Sequence, residues 1–131
     1  MSPEHKWILD FGCGNGAQTI LLPETSHVLA ADIDRADLLR LQGVLRENKI
    51  RHILPLQFDG DRLPVRSQSI DMAISFEVLE HVADESTALQ ELYRVLKPGG
   101  QLILSVPNKW WIFETHGAYL PLLPWNRVPF F

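Results

Sequence analysis

The sequence predicts a single α/β domain in which a mainly parallel β-sheet is covered by helices. Two observations carry this prediction. Apolar runs of strand length alternate with stretches of helical periodicity along most of the chain. The first apolar run, WILDF, leads directly into three alternating glycines at Gly12, Gly14 and Gly16. With 131 residues, of which 46% are hydrophobic, the chain is long enough for one domain with a real core.

Five strands and three helices are predicted. The strands are Trp7–Phe11, His27–Asp32, His52–Phe58, Ser69–Phe76 and Gln101–Val106, and the helices are Ala17–Leu22, Arg35–Asn48 and Glu85–Leu96. Pro23 ends the first helix, and Asp34 is the expected N-cap of the second, whose leucines recur on one face. The segment KPGG after Leu96 ends the third helix. The chain after Val106 is expected to be irregular or weakly helical.

Composition and charge exclude several classes of function. The net charge of −4, without a stripe of Lys and Arg, argues against a nucleic-acid partner. The histidines and the one cysteine, Cys13, show no zinc-ligand spacing, so no metal site is predicted. A single cysteine fits a reducing, cytoplasmic location. The apolar stretch 110–131 is interrupted by Pro121, Pro124 and Pro129, so no transmembrane segment is predicted.

The glycines favour a ligand site at the end of the first strand. They allow a ligand to approach the backbone and open a helix N-terminus, although a tight turn without a ligand would also use glycine. GCGNGA satisfies the dinucleotide pattern G-x-G-x-x-G/A. Asp10, two residues before the first glycine, would repel a pyrophosphate and attract a ligand that carries an amino group. The alternative role for Asp10 is to cap a loop or helix.

Carboxylates also follow the next two strands. Asp32 ends the second strand, where a carboxylate can accept both ribose hydroxyls, and Asp34 competes for that role. We assign Asp32 to the ribose and Asp34 to the cap; the alternative is that both cap the helix. Asp59 can accept from an adenine amino group beside the backbone of Gly60, although DGD is also good turn chemistry. Asp71, inside the fourth strand, is interpreted as structural.

The candidates for acid–base chemistry follow the fourth strand. They lie in SFEVLEHV, at the carboxyl end where chemistry is expected in such sheets: Glu77, Glu80 and His81. A histidine of near-neutral pKa suits proton removal from an acceptor. The alternative is a hydrogen-bonded structural histidine.

Five motifs in this order resemble the class I S-adenosylmethionine-dependent methyltransferases of the small-molecule type: ILDFGCGNG, AADID, FDGDRLP, SIDMAISFEVLEHV and LKPGG. The resemblance covers about Trp7 to Val106 and implies a Rossmann-like three-layer sandwich. It further implies roles for nine residues. Asp10, Gly12, Cys13 and Gly14 hold the methionine part of the cofactor, Asp32 the ribose, Ile33, Asp59 and Gly60 the adenine, and Phe76 lines the floor beneath the methyl group.

The sequence departs from that family at both ends. Members usually have a helix before the first strand and an antiparallel strand pair after the fifth. We expect both features to be lacking here. Residues 1–131 are interpreted as one cofactor-binding core, with 108–131 as an acceptor-side or irregular tail. A fragment of a longer protein, a homodimer through an open sheet edge, and a natural short form that binds without catalysis all remain open.

The aromatic tail supplies a further set of candidates. It can line the pocket of an apolar or planar acceptor, small or lipid-like, or it can simply pack against other strands; its members are Trp110, Trp111, Phe113, His116, Tyr119 and Trp125. His116 is a second candidate base. The competing functions are a cofactor-binding module without catalysis and an NAD-dependent oxidoreductase. Asp10 and the segment LKPGG argue against the oxidoreductase.

Overall fold

Six strands and two α-helices make up the regular structure of the residues described below. The computed structural model describes residues 5–14, 16–59, 61–76, 85–106 and 109–114. In chain order the elements are β1 (Trp7–Phe11), a 3-10 turn (Thr19–Leu21), β2 (His27–Asp32), α1 (Arg35–Glu47), β3 (Ile53–Gln57), β4 (Ile70–Phe76), α2 (Glu85–Val95), β5 (Leu96–Val106) and β6 (Lys109–Glu114).

The strands form one sheet in the order β3-β2-β1-β4-β5-β6. The first five are parallel, and β6 runs antiparallel to β5. From β1 the chain steps outward through β2 to β3 and then returns to β4 on the other side of β1. Strand order therefore reverses beside β1, where open parallel sheets bind their ligands at the carboxyl ends of the strands. The predicted mainly parallel α/β architecture is confirmed.

Each face of the sheet carries its own core, because successive strand residues point to opposite faces. On β1, Leu9 and Phe11 belong to the cluster that α2 covers, through Ala88, Leu92 and Val95. Ile8 belongs to the cluster that α1 covers, through Leu41 and Leu45. At 13 and 11 residues, neither α1 nor α2 could cross a bilayer, and no other helix of the described ranges is long and apolar enough.

Two predicted elements differ from the structure by more than one residue at an end. The first helix is only a 3-10 turn over Thr19–Leu21, because the short stretch before Pro23 leaves room for little more than one turn. β5 begins at Leu96 rather than Gln101: Leu96 pairs with Ile70, Gln101 pairs with Met72, and the residues between form an irregularity. Gly99, at φ +83°, adopts the left-handed conformation that this irregularity requires.

The expectation that antiparallel strands are lacking, with an irregular chain after the fifth strand, is corrected by β6. Lys109–Glu114 (KWWIFE) pairs antiparallel with β5 over six residue pairs, so β6 and not β5 is the edge. Aromatic and β-branched residues favour a strand, and the prolines that argued against one all follow Glu114. The side chain of Phe113 is 6% exposed and packs in the core on the α2 face.

Asp71 has the structural role that the sequence predicted. Its Oδ2 accepts a hydrogen bond of 2.9 Å from the backbone N–H of Trp7, and its Oδ1 lies 3.2 Å from Nζ of Lys97. The carboxylate thus ties the start of β1 to β4 and to the beginning of β5. It lies at the amino end of the sheet, away from the carboxyl ends where a ligand is expected.

Candidate cofactor site

A buried carboxylate stands at the carboxyl end of β1. Asp10 is 3% exposed, and its Oδ2 accepts a hydrogen bond of 2.6 Å from the hydroxyl of Thr19. Burial raises the pKa of Asp10, the Thr19 hydrogen bond opposes that rise, and the nearby charge of Asp32 adds to it. A cation placed against this carboxylate would offset the desolvation of its charged form. The site is therefore suited to a positive group and unsuited to a phosphate.

Sequence reasoning did not identify Thr19. Its side chain is fully buried in the 3-10 turn that follows the glycines, where it contacts Asp10 across nine residues of chain. A buried carboxylate requires a hydrogen-bond donor. That requirement was the available signal, and it would have directed attention to the hydroxyl and amide side chains just after the glycine turn.

The glycine turn is held against β2. The backbone N–H groups of Gly12 and Cys13 both donate to the carbonyl oxygen of Ala31, at 2.7 and 3.0 Å. The N–H of Gly14 donates to Oδ2 of Asp32 at 2.6 Å. These contacts join the ends of β1 and β2, so that Asp10 and Asp32 belong to one site.

The second and third glycines have different reasons for lacking a side chain. Both have positive φ, +58° at Gly14 and +81° at Gly16. A Cβ at Gly16 would clash with the side chain of Leu41 in α1, so this glycine is needed for packing. A Cβ at Gly14 would meet no atom of the described residues within 4 Å. Packing alone does not account for Gly14, whose surroundings leave room for a ligand against the backbone.

Asp34 is the N-cap of α1, as the sequence analysis proposed, and Asp32 makes other contacts. Asp34 caps α1: its Oδ1 accepts from the N–H groups of Ala36 at 2.9 Å and Asp37 at 3.3 Å. Asp32 does not cap the helix. Its Oδ2 accepts from Gly14, and its Oδ1 accepts from the N–H of Asp34 at 2.9 Å. Because a carboxylate oxygen has more than one lone pair, both oxygens retain capacity for further donors.

Cys13 is half-buried, and its surroundings disfavour the thiolate. Burial, followed by the charges of Asp10 and Asp32, raises the pKa of Cys13 to about 12. The thiol therefore stays protonated at neutral pH, and only the thiolate is a good nucleophile. Its side chain packs against the core on the α1 face. Burial and the two neighbouring carboxylates thus disfavour nucleophilic chemistry at Cys13.

The end of β3 forms a second part of the site. Residues after β3 line an open cavity of about 570 Å³: Gln57, Phe58, Asp59, Arg62 and Pro64. Oδ1 of Asp59 accepts from the N–H groups of Asp61 at 2.8 Å and Arg62 at 3.1 Å, and these bonds lower the pKa of Asp59. The turn that was the alternative role of Asp59 is therefore present. No bond to its Oδ2 is found among the described residues.

Ile33 lies between the ribose and adenine candidates. Its side chain is 53% exposed directly after β2, although it is large and apolar. Its carbonyl oxygen accepts from Nε2 of Gln57 at 3.2 Å, and the N–H of Phe58 donates to the carbonyl of Asp32 at 3.1 Å. The ends of β2 and β3 are thus joined side by side, with Ile33 as an exposed apolar surface beside the cavity.

Of the remaining predicted site residues, the structure describes only the backbone of Phe76. Phe76 is the last residue of β4, so its backbone lies at the carboxyl edge of the sheet. Gly60, Glu77, Glu80, His81 and His116 lie outside the described residues. Within the described ranges, no group of three histidine, cysteine or acidic side chains could hold a metal ion.

The family model described as "Methyltransferase domain" matches residues 9–104. This range begins just before Asp10 and extends almost to the end of β5. It therefore includes the glycine turn, Asp32 and the cavity beside Asp59.

Individual proteins show the same similarity. A probable S-adenosylmethionine-dependent methyltransferase of Mycolicibacterium smegmatis is 31% identical over 122 residues, which cover 91% of this chain and 44% of that protein. A ubiquinone biosynthesis O-methyltransferase of Xanthomonas oryzae pv. oryzae is 34% identical over 109 residues, 78% of this chain and 43% of that protein. This chain thus spans less than half the length of these relatives.

A solved structure shares the fold. The crystal structure of an S-adenosylmethionine-dependent methyltransferase from Aquifex aeolicus superimposes with a TM-score of 0.73 at 20% identity, over 77% of this chain and 56% of that one. At this identity the similarity concerns the fold alone.

Proposed function

The chain belongs to the methyltransferase domain family, and on this premise we propose that it binds S-adenosylmethionine and transfers the methyl group to a small-molecule or lipid-like acceptor. The observation that carries the proposal is the buried carboxylate of Asp10 beside the glycine turn. A dinucleotide would bring a pyrophosphate to this turn, next to a negative charge. S-adenosylmethionine carries positive charge in its amino acid part, which fits that carboxylate.

The methionine part of the cofactor is assigned to the end of β1. Asp10 supplies a carboxylate for the ammonium group, and the turn of Gly12, Cys13 and Gly14 supplies backbone that a ligand can approach. The open space at Gly14 supports this assignment. Phe76, at the end of the adjacent strand β4, is proposed to line the floor beneath the methyl group.

The adenosine part is assigned to the ends of β2 and β3. Asp32 retains acceptor capacity for the two ribose hydroxyls. Ile33 offers its exposed apolar side chain to the face of the adenine ring. Asp59, with the backbone at Gly60, is proposed to accept from the adenine amino group, and the cavity beside it supports this role.

When bound, S-adenosylmethionine supplies a methyl group on a positively charged sulfur, which keeps the electron pair of the breaking S–C bond while the acceptor forms the new bond. The residues of this chain then need only hold and orient the two reactants, which can contribute several powers of ten in rate. A base is required only where the acceptor must lose a proton. His81 and His116 are proposed for that role.

The proposed acceptor is apolar or planar. The ubiquinone biosynthesis O-methyltransferase, by its name, acts in the pathway to a quinone that carries a lipid tail, and it is 34% identical to this chain. The aromatic residues after β5 are the proposed source of the acceptor wall. Phe113 is excluded from that wall, because its side chain is buried in the core. Pairing of two copies through the β6 edge remains part of the proposal.

The test is calorimetric titration with S-adenosylhomocysteine, the stable product, with NAD in parallel. We expect a Kd of about 1–100 μM for the homocysteine compound, roughly −8 to −5.5 kcal/mol, and no heat with NAD. Binding of NAD alone would overturn the proposal in favour of an oxidoreductase. Transfer of a labelled methyl group to simple phenols and quinols then tests catalysis, and cofactor binding without transfer to any acceptor would favour a binding module.

A further inference from the structure

Arg94 joins α2 to the loop that connects β3 with β4. Its guanidinium donates to the carbonyl oxygens of Leu63 and Val65, each at 2.9 Å, and to Oγ of Ser67 at 3.1 Å. It also pairs with both carboxylate oxygens of Glu91, at 2.8 and 3.0 Å. One planar side chain thus fastens a stretch of loop that is about thirty residues away along the chain.

Glu91 completes the attachment. Its Oε1 accepts from the backbone N–H of Leu63 at 2.7 Å. Both backbone polar groups of Leu63 are therefore held by α2, the N–H by Glu91 and the carbonyl by Arg94. The side chain of Leu63 is 1% exposed in the core on the α2 face, so the residue is fixed on three sides.

This attachment lies next to the proposed adenine subsite. Leu63 stands between Arg62 and Pro64, which line the cavity together with Asp59. The carboxylate of Asp59 accepts from the N–H groups of Asp61 and Arg62. The carboxylate of Asp59 therefore holds the residues that follow it, and α2 holds Leu63.

We propose that Glu91 and Arg94 are positioning residues for the adenine subsite, because they hold Leu63 and, through it, the turn that orients Asp59. The inference rests on the proposed function, under which Asp59 accepts from the adenine amino group. Neither side chain lines the cavity beside Asp59. A carboxylate that reads one amino group must be held to within a fraction of an ångström, and a loop achieves that only with support from a rigid element.

The competing explanation is that the pair stabilises only the fold. A comparison of two ligands separates the two explanations. S-inosylhomocysteine carries an oxo group where S-adenosylhomocysteine carries the adenine amino group. Partial unfolding weakens the apparent affinity for both ligands by the same factor, so the ratio of their Kd values is unaffected. Because the inosine ring also carries a hydrogen at N1, the ratio changes only when the recognition of this edge of the adenine, the amino group together with N1, changes.

The ratio is measured by calorimetry for the wild-type chain and for Arg94→Gln, Glu91→Gln and Asp59→Asn. The matched control is Arg40→Gln. It breaks the ion pair between Arg40 and Asp37 in α1, whose partners are also three residues apart. Arg94→Lys is the milder variant, since it keeps the charge but cannot donate to Glu91, Leu63 and Val65 in the same fork. It provides the measurement if the glutamine variant does not fold.

The wild-type chain and Arg40→Gln are expected to favour S-adenosylhomocysteine by about tenfold or more, the effect of one hydrogen bond to a charged group. Asp59→Asn, Arg94→Gln, Glu91→Gln and Arg94→Lys are expected to reduce that preference to about threefold or less. If the Arg94 and Glu91 variants kept the preference of the wild-type chain for S-adenosylhomocysteine, the positioning role would be overturned. The proposed function would remain intact. No binding of either ligand by the folded wild-type chain would overturn both.

Discussion

The hydroxyl of Thr19 lies 2.6 Å from Oδ2 of Asp10, and both residues are buried. This hydrogen bond stabilises a carboxylate that has little access to water. It also makes the 3-10 turn after the glycines a part of the cofactor site. The pair therefore links the stability of the chain to its proposed binding of a cation.

Replacing Thr19 by valine is expected to lower the free energy of unfolding by about 1–3 kcal/mol, because it removes a donor from a buried carboxylate. Thr19→Ser keeps the hydroxyl and serves as the control. Chemical denaturation at neutral pH measures both. If the valine and serine variants were equally stable, the hydrogen bond would have no energetic role.

Asp10→Asn is expected to stabilise the ligand-free chain at neutral pH while weakening the binding of S-adenosylhomocysteine. Burial raises the pKa of Asp10 above 3.8, so the folded state binds a proton more tightly than the unfolded state. Stability is therefore lost as the pH rises through the interval between these two pKa values. Asparagine carries no charge and avoids that loss.

The measurement for Asp10 is denaturation of both proteins across the acid range, with Glu47→Gln as a control for an exposed carboxylate. The advantage of Asp10→Asn should be full at neutral pH and should shrink toward pH 3.8. An advantage that did not change with pH would show that the charge of Asp10 is not its source.

Asp32 and Asp34 are expected to separate binding from stability. Asp34→Ala removes the N-cap of α1 and should lower the free energy of unfolding by about 1 kcal/mol, with little change in the affinity for S-adenosylhomocysteine. Asp32→Ala should weaken that affinity at least about tenfold, because two ribose hydroxyls lose a charged acceptor. Undiminished binding by Asp32→Ala would contradict the ribose assignment.

The two glycines offer a similar comparison. Gly16→Ala places a Cβ against Leu41 at a positive φ, so the clash and the backbone strain together should destabilise the chain by about 2–5 kcal/mol. Gly14→Ala should cost only about 1–2 kcal/mol, from its positive φ alone, but should weaken S-adenosylhomocysteine binding more strongly than Gly16→Ala does. Thermal unfolding and titration of both variants give the comparison. The prediction for Gly14 is wrong if its variant binds as well as that of Gly16.

Much of the fold and the position of the site could be predicted from local patterns. The bounds of β1 and β2 agree with the prediction at both ends, and Asp34 is the N-cap that was expected. These features depend on residues close together in the chain. Asp10 and Asp32 could be assigned to one edge because the carboxyl ends of parallel strands meet there.

Other features could not be predicted because they depend on residues far apart. The run of aromatic and β-branched residues in KWWIFE fits a strand, but only the proximity of β5 provides the partner that makes β6. The sequence pattern does not indicate the contacts of Arg94, because the loop that this side chain binds lies about thirty residues earlier in the chain. The pairing of Thr19 with Asp10 depends on how closely the 3-10 turn packs against β1.

The amino-acid sequence alone determined the first five strands, the two α-helices, the glycine turn, and the strand ends on which the carboxylates lie. Periodicity, capping and backbone freedom are local properties that depend on residues close together in the chain. Tertiary structure alone decided which polar group meets which: Thr19 with Asp10, Gly14 with Asp32, and Arg94 with Leu63. A hydrogen bond requires atoms within about 3.5 Å of each other, and only the packed chain brings distant residues so close.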